Sequence, residues 1–219
     1  RRRVLAIVNP ESAIPLQELS KKAVVSVSVI NKLHQLGKLN LEELNLPSPF
    51  KVPDWTSPGP TLSNEQATIS QALSNAVEKK EFEVSLLEGV PGSGKTEVYT
   101  EAICKALSLG KQALVLLPEI ALSTQWLSRF RQRFGCEPIV WHSELTISQR
   151  KIAWRSIIEG HVQVVVGARS ALFLPFQNLG IVIIDEEHDA SFKQEEGVIY
   201  NARDMAIVRA RTSDIPVCL

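Results

Sequence analysis

The stretch of this 219-residue chain best suited to chemistry is Gly89-Val90-Pro91-Gly92-Ser93-Gly94-Lys95-Thr96, which fits the eight-residue pattern G-x-x-x-x-G-K-[ST] in full. Glycines let successive backbone N–H groups turn inward around a phosphate, and a helix that follows directs its positive end at the same charge. Lys95 adds a cation for the β- and γ-phosphates, and the Thr96 hydroxyl is placed to ligate the accompanying Mg²⁺. Glu97, the next residue, completes the expected nucleotide-binding set. The alternative, a Gly-rich turn without a ligand, lacks support from the flanks. Val84–Leu87 is a short apolar run before the loop, and 97–109 carries Val98, Ile103, Ala106 and Leu107 near helical spacing before Gly110.

A second chemical signal is Ile181-Val182-Ile183-Ile184-Asp185-Glu186-Glu187-His188. Four apolar residues followed by acids place the carboxylates at the C-terminal edge of a buried strand, the same edge as the glycine loop. Asp185 is then positioned to hold Mg²⁺ through its water shell, and Glu186 to orient or deprotonate an attacking water. Two readings stand for His188: it couples the nucleotide to a nucleic-acid surface, or it caps the turn.

These residues need a scaffold, and the pattern of the chain supplies one. Apolar runs at 84–88, 112–117, 139–141, 162–166, 181–184 and 215–219 alternate with helical stretches near 97–109, 121–134, 146–159 and 203–211. Continuous Val/Ile/Leu runs at this spacing predict an α/β fold with a parallel sheet buried on both faces by helices. A helix opening at Ser63 or Asn64 and running to about Lys80 precedes it. Residues 47–63 contain five prolines and read as a linker between a domain at 1–46 and a larger one at 64–219.

The first domain reads as three short helices, 3–8, 16–22 and 26–37, in a helix-turn-helix arrangement, with Lys38–Leu44 able to form a wing. Val27, Ile30, Leu33 and Leu36 form an apolar stripe on the third helix, while Ser28, Asn31, Lys32 and Gln35 occupy the other side. Those four polar residues either face DNA or form the solvated side of a small packing module. His34 reads as a wedge or surface residue.

Formal net charge is zero, but residues 1–50 hold seven Lys/Arg against four acids, so the basic end is N-terminal. The three cysteines lie far apart, which argues against a zinc site or disulfide framework and fits a reduced cytoplasm. No run approaches a membrane span. The first residue is not Met and the last five read as a buried strand, so we expect a segment of a longer protein.

Asp185-Glu186-Glu187-His188 downstream of the P-loop resembles the D-E-x-H signature of superfamily 2 helicases. With Leu117–Gln125, His142–Leu145, Gly167–Phe173 and the run from Asp185 to Arg203-Asp204, most of the chain resembles the bacterial primosomal replication-restart helicases. The resemblance implies a winged-helix domain followed by the first RecA-like lobe of a P-loop NTPase, using ATP and Mg²⁺. It implies that Gln66 reads adenine, whose edge an amide can pair. It places Pro118–Gln125 and Gly167–Ser170 along the tracked single strand, with Arg169 and Ser170 on a phosphate. An arginine bound to an acid within the lobe is the alternative for Arg169.

Residues 189–200 correspond to an aromatic-rich loop relaying DNA binding to the ATP site, in which Phe192 and Tyr200 keep aromatic character. Val198 and Asn201 stand where the family often has tryptophan and histidine, removing one stacking platform. The second lobe with its arginine finger and the zinc-binding insertion are expected only beyond Leu219, and the family's 3′-end-binding domain likewise lies outside this chain. Forked and single-stranded DNA, single-strand-binding protein and other primosome proteins are the implied partners. Two rivals are a non-catalytic winged-helix module with a nucleotide-responsive switch, and a phosphotransferase on the same P-loop.

Overall fold

A computed structural model of the chain describes residues 2–9, 13–42, 49–118 and 124–219. It divides into two compact units, residues 1–47 and 48–219. The first contains α1 (Arg2–Ile7), α2 (Leu16–Ala23) and α3 (Val27–Gln35), packed around Val4, Leu19, Ala23, Ile30 and Leu33. Only the middle of the expected α3 stripe is buried; Val27 and Leu36 are 37% and 54% exposed. A strict three-residue repeat drifts on a helix of 3.6 residues per turn, so positions nine apart face roughly opposite directions. His34 Nδ1 hydrogen-bonds Leu39 O at 3.0 Å, securing the chain after α3. Residues 38–42 have no regular strand, and the rest of the expected wing, 43–44, lies outside the described residues.

The second unit is built on six parallel strands: β1 (Val84–Ser85), β2 (Gln112–Leu116), β3 (Ile139–Trp141), β4 (Val164–Gly167), β5 (Leu179–Ile184) and β8 (Val217–Cys218). Their order across the sheet is β1-β8-β5-β2-β4-β3. A separate antiparallel pair, β6 (Lys193–Gln194) and β7 (Tyr200–Asn201), projects from the segment between β5 and β8. Alternation along β2 sends Ala113 and Val115 to one core and Leu114 and Leu116 to the other. The first core is covered by α4 (Asn64–Lys79), α5 (Lys95–Ser108) and α6 (Thr124–Phe134), the second by α7 (Ile147–Ile158) and α8 (Ala202–Ser213). The sheet is therefore sandwiched, as the apolar runs require.

The strand ahead of the glycine loop departs from expectation. Only Val84 and Ser85 pair, on the outer edge beside β8, and Val84 and Leu86 are 43% and 68% exposed. The ladder is extended by Leu219 N–H donating to Ser85 O and Leu87 N–H to Leu219 O, both at 2.8 Å. α4 starts at a full capping box, with Ser63 Oγ accepting from Gln66 N and Gln66 Oε1 accepting from Ser63 N.

The proline-rich stretch is also more than a tether: its described part is laid onto the second unit. Pro53 is buried, Asp54 N–H donates to Phe134 O at 2.9 Å, and the Arg133 guanidinium donates to Ser57 O. Arg133 also pairs with Glu101 at 3.1 Å from a side chain only 10% exposed. Prolines here remove regular secondary structure without removing order, because the Arg133 side chain and the Phe134 carbonyl of α6 bind the strap's backbone.

Candidate nucleotide-binding and acid site

The glycine loop leads from β1 into α5, whose N-cap is Gly94. Gly92 and Gly94 adopt φ of 81° and 82°, a region costly to L side chains. A Cβ on Gly94 would also sit 2.4 Å from Gln66 Nε2, and one on Gly89 would sit 2.5 Å from Ser93 Oγ. Lys95 Nζ crosses the loop to donate to Gly89 O at 2.7 Å. Gln66 joins the capping box to the loop by donating from Nε2 to Ser93 O at 2.8 Å. Glu97, on the first turn of α5, pairs with Arg129 of α6 at 3.5 Å.

The acids leave the sheet at the end of β5, where Asp185 N–H donates to Leu116 O at 3.0 Å. Both carboxylate oxygens of Asp185 are held: Oδ2 accepts from Tyr99 Oη at 2.8 Å, and Oδ1 accepts from Glu186 N at 3.1 Å. Glu186 has φ of 54°, a left-handed conformation that costs a non-glycine residue about 1–3 kcal/mol and concentrates at functional sites. His188 Nε2 lies 3.6 Å from Glu186 Oε2 and its ring is largely exposed, so it borders the acid as well as solvent. Glu187 pairs with Arg203 of α8 at 3.0 Å.

Glycine loop and acids meet across a cleft of ≈ 270 Å³ lined by Gly89, Lys95, Tyr99, Asp185 and Glu186. Thr96 lies on the first turn of α5, three residues before Tyr99, and lines a separate cleft with Glu97, Arg129 and Arg133. The Asp185 carboxylate in the cleft offers hard oxygens suited to Mg²⁺, which commonly takes one or two carboxylates and completes its shell with phosphates and water. No group of three or more His, Cys, Asp or Glu side chains with metal-binding placement occurs among the described residues. Cys104, Cys136 and Cys218 are buried free thiols.

Sequence reasoning missed Tyr99 because its type carries no motif. The signal available was helical spacing, which puts it one turn after Thr96 on the same face of α5. Burial, followed by the Asp185 charge, raises its phenol well above the ordinary value, so it remains a donor.

The residues expected along nucleic acid are distributed unevenly. Arg169, in a 3₁₀ turn (Arg169–Phe173) after β4, donates from Nη1 to the backbone carbonyls of Ser191 and Lys193 at 3.2 and 2.9 Å. It is thus bound to the 189–200 segment, with no acid partner among the described residues. Ser170 is exposed beside it. Tyr200, half-buried on β7, meets Phe173 edge-on with ring centroids 5.3 Å apart.

Phe192 requires correction: at 1% exposure it belongs to the core under β5 and α8 and offers no face to a base. A short 3₁₀ turn capped by Asp189 points it inward. Val198 is 77% exposed at the hairpin tip, and Asn201 caps α8 by accepting from Arg203 N at 2.9 Å. In the segment 118–125, expected along the single strand, residues 119–123 lie outside the described residues. Ser28, Asn31, Lys32 and Gln35 are all exposed on α3.

The description DEAD/DEAH box helicase matches residues 65–215, from the first turn of α4 to the approach to β8. The chain belongs to the DEAD/DEAH box helicase family. It is 45% identical over 208 residues to the "Replication restart protein PriA" of Rickettsia felis, covering 94% of this chain and 30% of that protein. The Bacillus subtilis protein of the same description is 45% identical over 217 residues, covering 97% of this chain and 27% of that protein. This chain therefore spans less than a third of the length of these curated relatives. Among solved structures, RecG bound to a three-way DNA junction aligns with a TM-score of 0.51 at 23% identity, over 78% of this chain and 23% of that one. That likeness concerns the fold.

Proposed function

We propose that this chain is the DNA-binding and ATP-binding portion of a helicase that acts on stalled or branched replication forks and restarts replication. The observation that carries the reading is the shared cleft, in which the P-loop lysine and the Asp185–Glu186 pair face each other at the C-terminal edge of one parallel sheet. The match to replication-restart relatives over almost the whole chain supports the cellular assignment. In this reading the backbone of 89–94 and Lys95 bind the ATP phosphates, and Gln66 reads adenine from its seat beside Ser93. Thr96 and Asp185 would hold Mg²⁺, which neutralises developing phosphate charge when bound. Glu186 orients the attacking water and accepts its proton.

Residues 1–46 act as a winged helix presenting Ser28, Asn31, Lys32 and Gln35 to DNA, joined by the 47–63 strap to the lobe at 64–219. Arg169, Ser170 and Tyr200 border the tracked strand, and His188 couples it to Glu186. A cationic residue from a second lobe completes the reaction, so the present chain alone binds nucleotide weakly and turns it over poorly; zinc belongs to parts outside it. Single-strand-binding protein and primosome proteins are the proposed partners and the cytoplasm the proposed location. No described helix is long and apolar enough to cross a membrane.

The test is the ATPase rate of the full-length protein with and without forked DNA. Strong stimulation by the fork is expected. A rate indifferent to DNA would refute the coupling of hydrolysis to translocation.

A further inference from the structure

Asp185 is held by a residue no motif identifies. Tyr99 is 2% exposed and lies one turn into α5, between Asp185 and the first turns of α6. Its Oη makes two hydrogen bonds of 2.8 Å, one with Asp185 Oδ2 and one with Trp126 Nε1. The direction of each follows by elimination. An indole N–H can only donate, so the phenol oxygen is the acceptor towards Trp126, and its single proton is committed to the carboxylate.

Asp185 is thereby clamped by two donors on different elements, Tyr99 on α5 and the Glu186 backbone after β5. Trp126 is itself fixed, stacked on Phe130 at 5.5 Å, with Phe130 in turn 4.4 Å from Phe134. A buried indole N–H or phenol O–H left without a partner is costly, so the three groups hold one another in register.

We propose that Tyr99 is a positioning residue for the metal-holding carboxylate, and that Trp126 fixes the phenol in turn, making the placement of α6 felt at Asp185. The inference rests on the reading of Asp185 as a Mg²⁺ ligand. Tyr99→Phe removes one oxygen and retains the ring that fills the core. Outer-shell partners of metal ligands commonly alter metal affinity by about 10–100-fold.

The experiment uses the 219-residue chain with ¹⁵N-labelled tryptophan, whose four indole N–H signals are assigned by substitution, Trp126→Phe identifying the one of interest. A non-hydrolysable ATP analogue is titrated with Mg²⁺ absent and then present. In the unsubstituted chain Mg²⁺ with the analogue shifts the Trp126 signal. In Tyr99→Phe that signal moves to the position of an unbonded indole and no longer responds, and the Mg²⁺ concentration needed for half-maximal tightening rises about tenfold while metal-free affinity is unchanged. Trp126→Phe, which leaves Tyr99 in place, gives a smaller rise in the same direction. Unchanged Mg²⁺ dependence in both variants would overturn the positioning role. Failure of the unsubstituted chain to bind the analogue, with the Trp126 signal still moved by Tyr99→Phe, would instead count against the nucleotide-site reading.

Discussion

Replacing Arg169 by Ala isolates the contact between the turn after β4 and the β6–β7 hairpin. The guanidinium makes two hydrogen bonds to neutral carbonyls, at 2.9 Å to Lys193 and 3.2 Å to Ser191. A hydrogen bond to a charged group contributes about 1.5–3 kcal/mol where it is well shielded. Here the side chain is half-exposed, the second bond is long, and water replaces the donor after substitution, so the pair together is assigned about 1.5 kcal/mol. Burial of Phe192 and the Tyr200–Phe173 contact survive the change, so the hairpin loosens locally while the lobe stays folded. That free energy corresponds to a rise of about tenfold in hairpin opening. Amide hydrogen exchange resolved to residues 193–201 measures it directly, with α5 as the internal control. Arg169→Lys, which keeps the charge but loses the planar fork, falls between the two. Unaltered exchange at 193–201 in Arg169→Ala would refute the claim that this arginine holds the hairpin.

Other outcomes follow from the same geometry. Gly94→Ala combines a φ of 82° with a Cβ 2.4 Å from the Gln66 amide, so it should lower stability by about 1–2 kcal/mol and displace Gln66 from Ser93; thermal unfolding and nucleotide affinity both fall. Burial pushes the Cys104 and Cys218 thiols up to about 12 and raises Cys136 as well. Thiolate is the reactive form, so the folded chain at pH 8 should resist iodoacetamide until denaturant is added, as mass spectrometry would show. The sign for stability follows: unfolded thiols lose protons near pH 9 and the folded Cys104 and Cys218 only near 12, so their contribution is intact below pH 9 and is lost progressively above it. Denaturant midpoints measured at pH 8 and pH 10 check the direction.

Much of the site was legible because its chemistry demands particular residue types at fixed spacing. Gly89–Thr96 and Asp185–Glu186 sit on a common sheet edge because two apolar runs in parallel strands must end on the same side. Strand count and helix placement followed from continuous Val/Ile/Leu runs such as Gln112–Leu116. The edge position of β1 was not legible, since pairing order is set by long-range contacts that composition does not encode. Phe192 was misplaced for a related reason: an aromatic residue in a loop serves a binding face or a core equally well by type, and only the capped 3₁₀ turn at Asp189 decides. Tyr99 and Trp126 escaped notice because their function lies in a hydrogen bond between two helices, from residues 27 apart in sequence. The proline-rich strap showed that a stretch without secondary structure can still be ordered by side chains from elsewhere, here Arg133.

The central claim, that the cleft between Lys95 and the Asp185–Glu186 pair hydrolyses ATP, is tested most directly by Glu186→Gln in the full-length protein on forked DNA. The substitution leaves the phosphate loop and Asp185 in place and removes the group that handles the water. Nucleotide binding should remain near the unsubstituted level while turnover falls by about 10²-fold or more, the size of effect expected for loss of a general base. Normal turnover by Glu186→Gln would contradict the account.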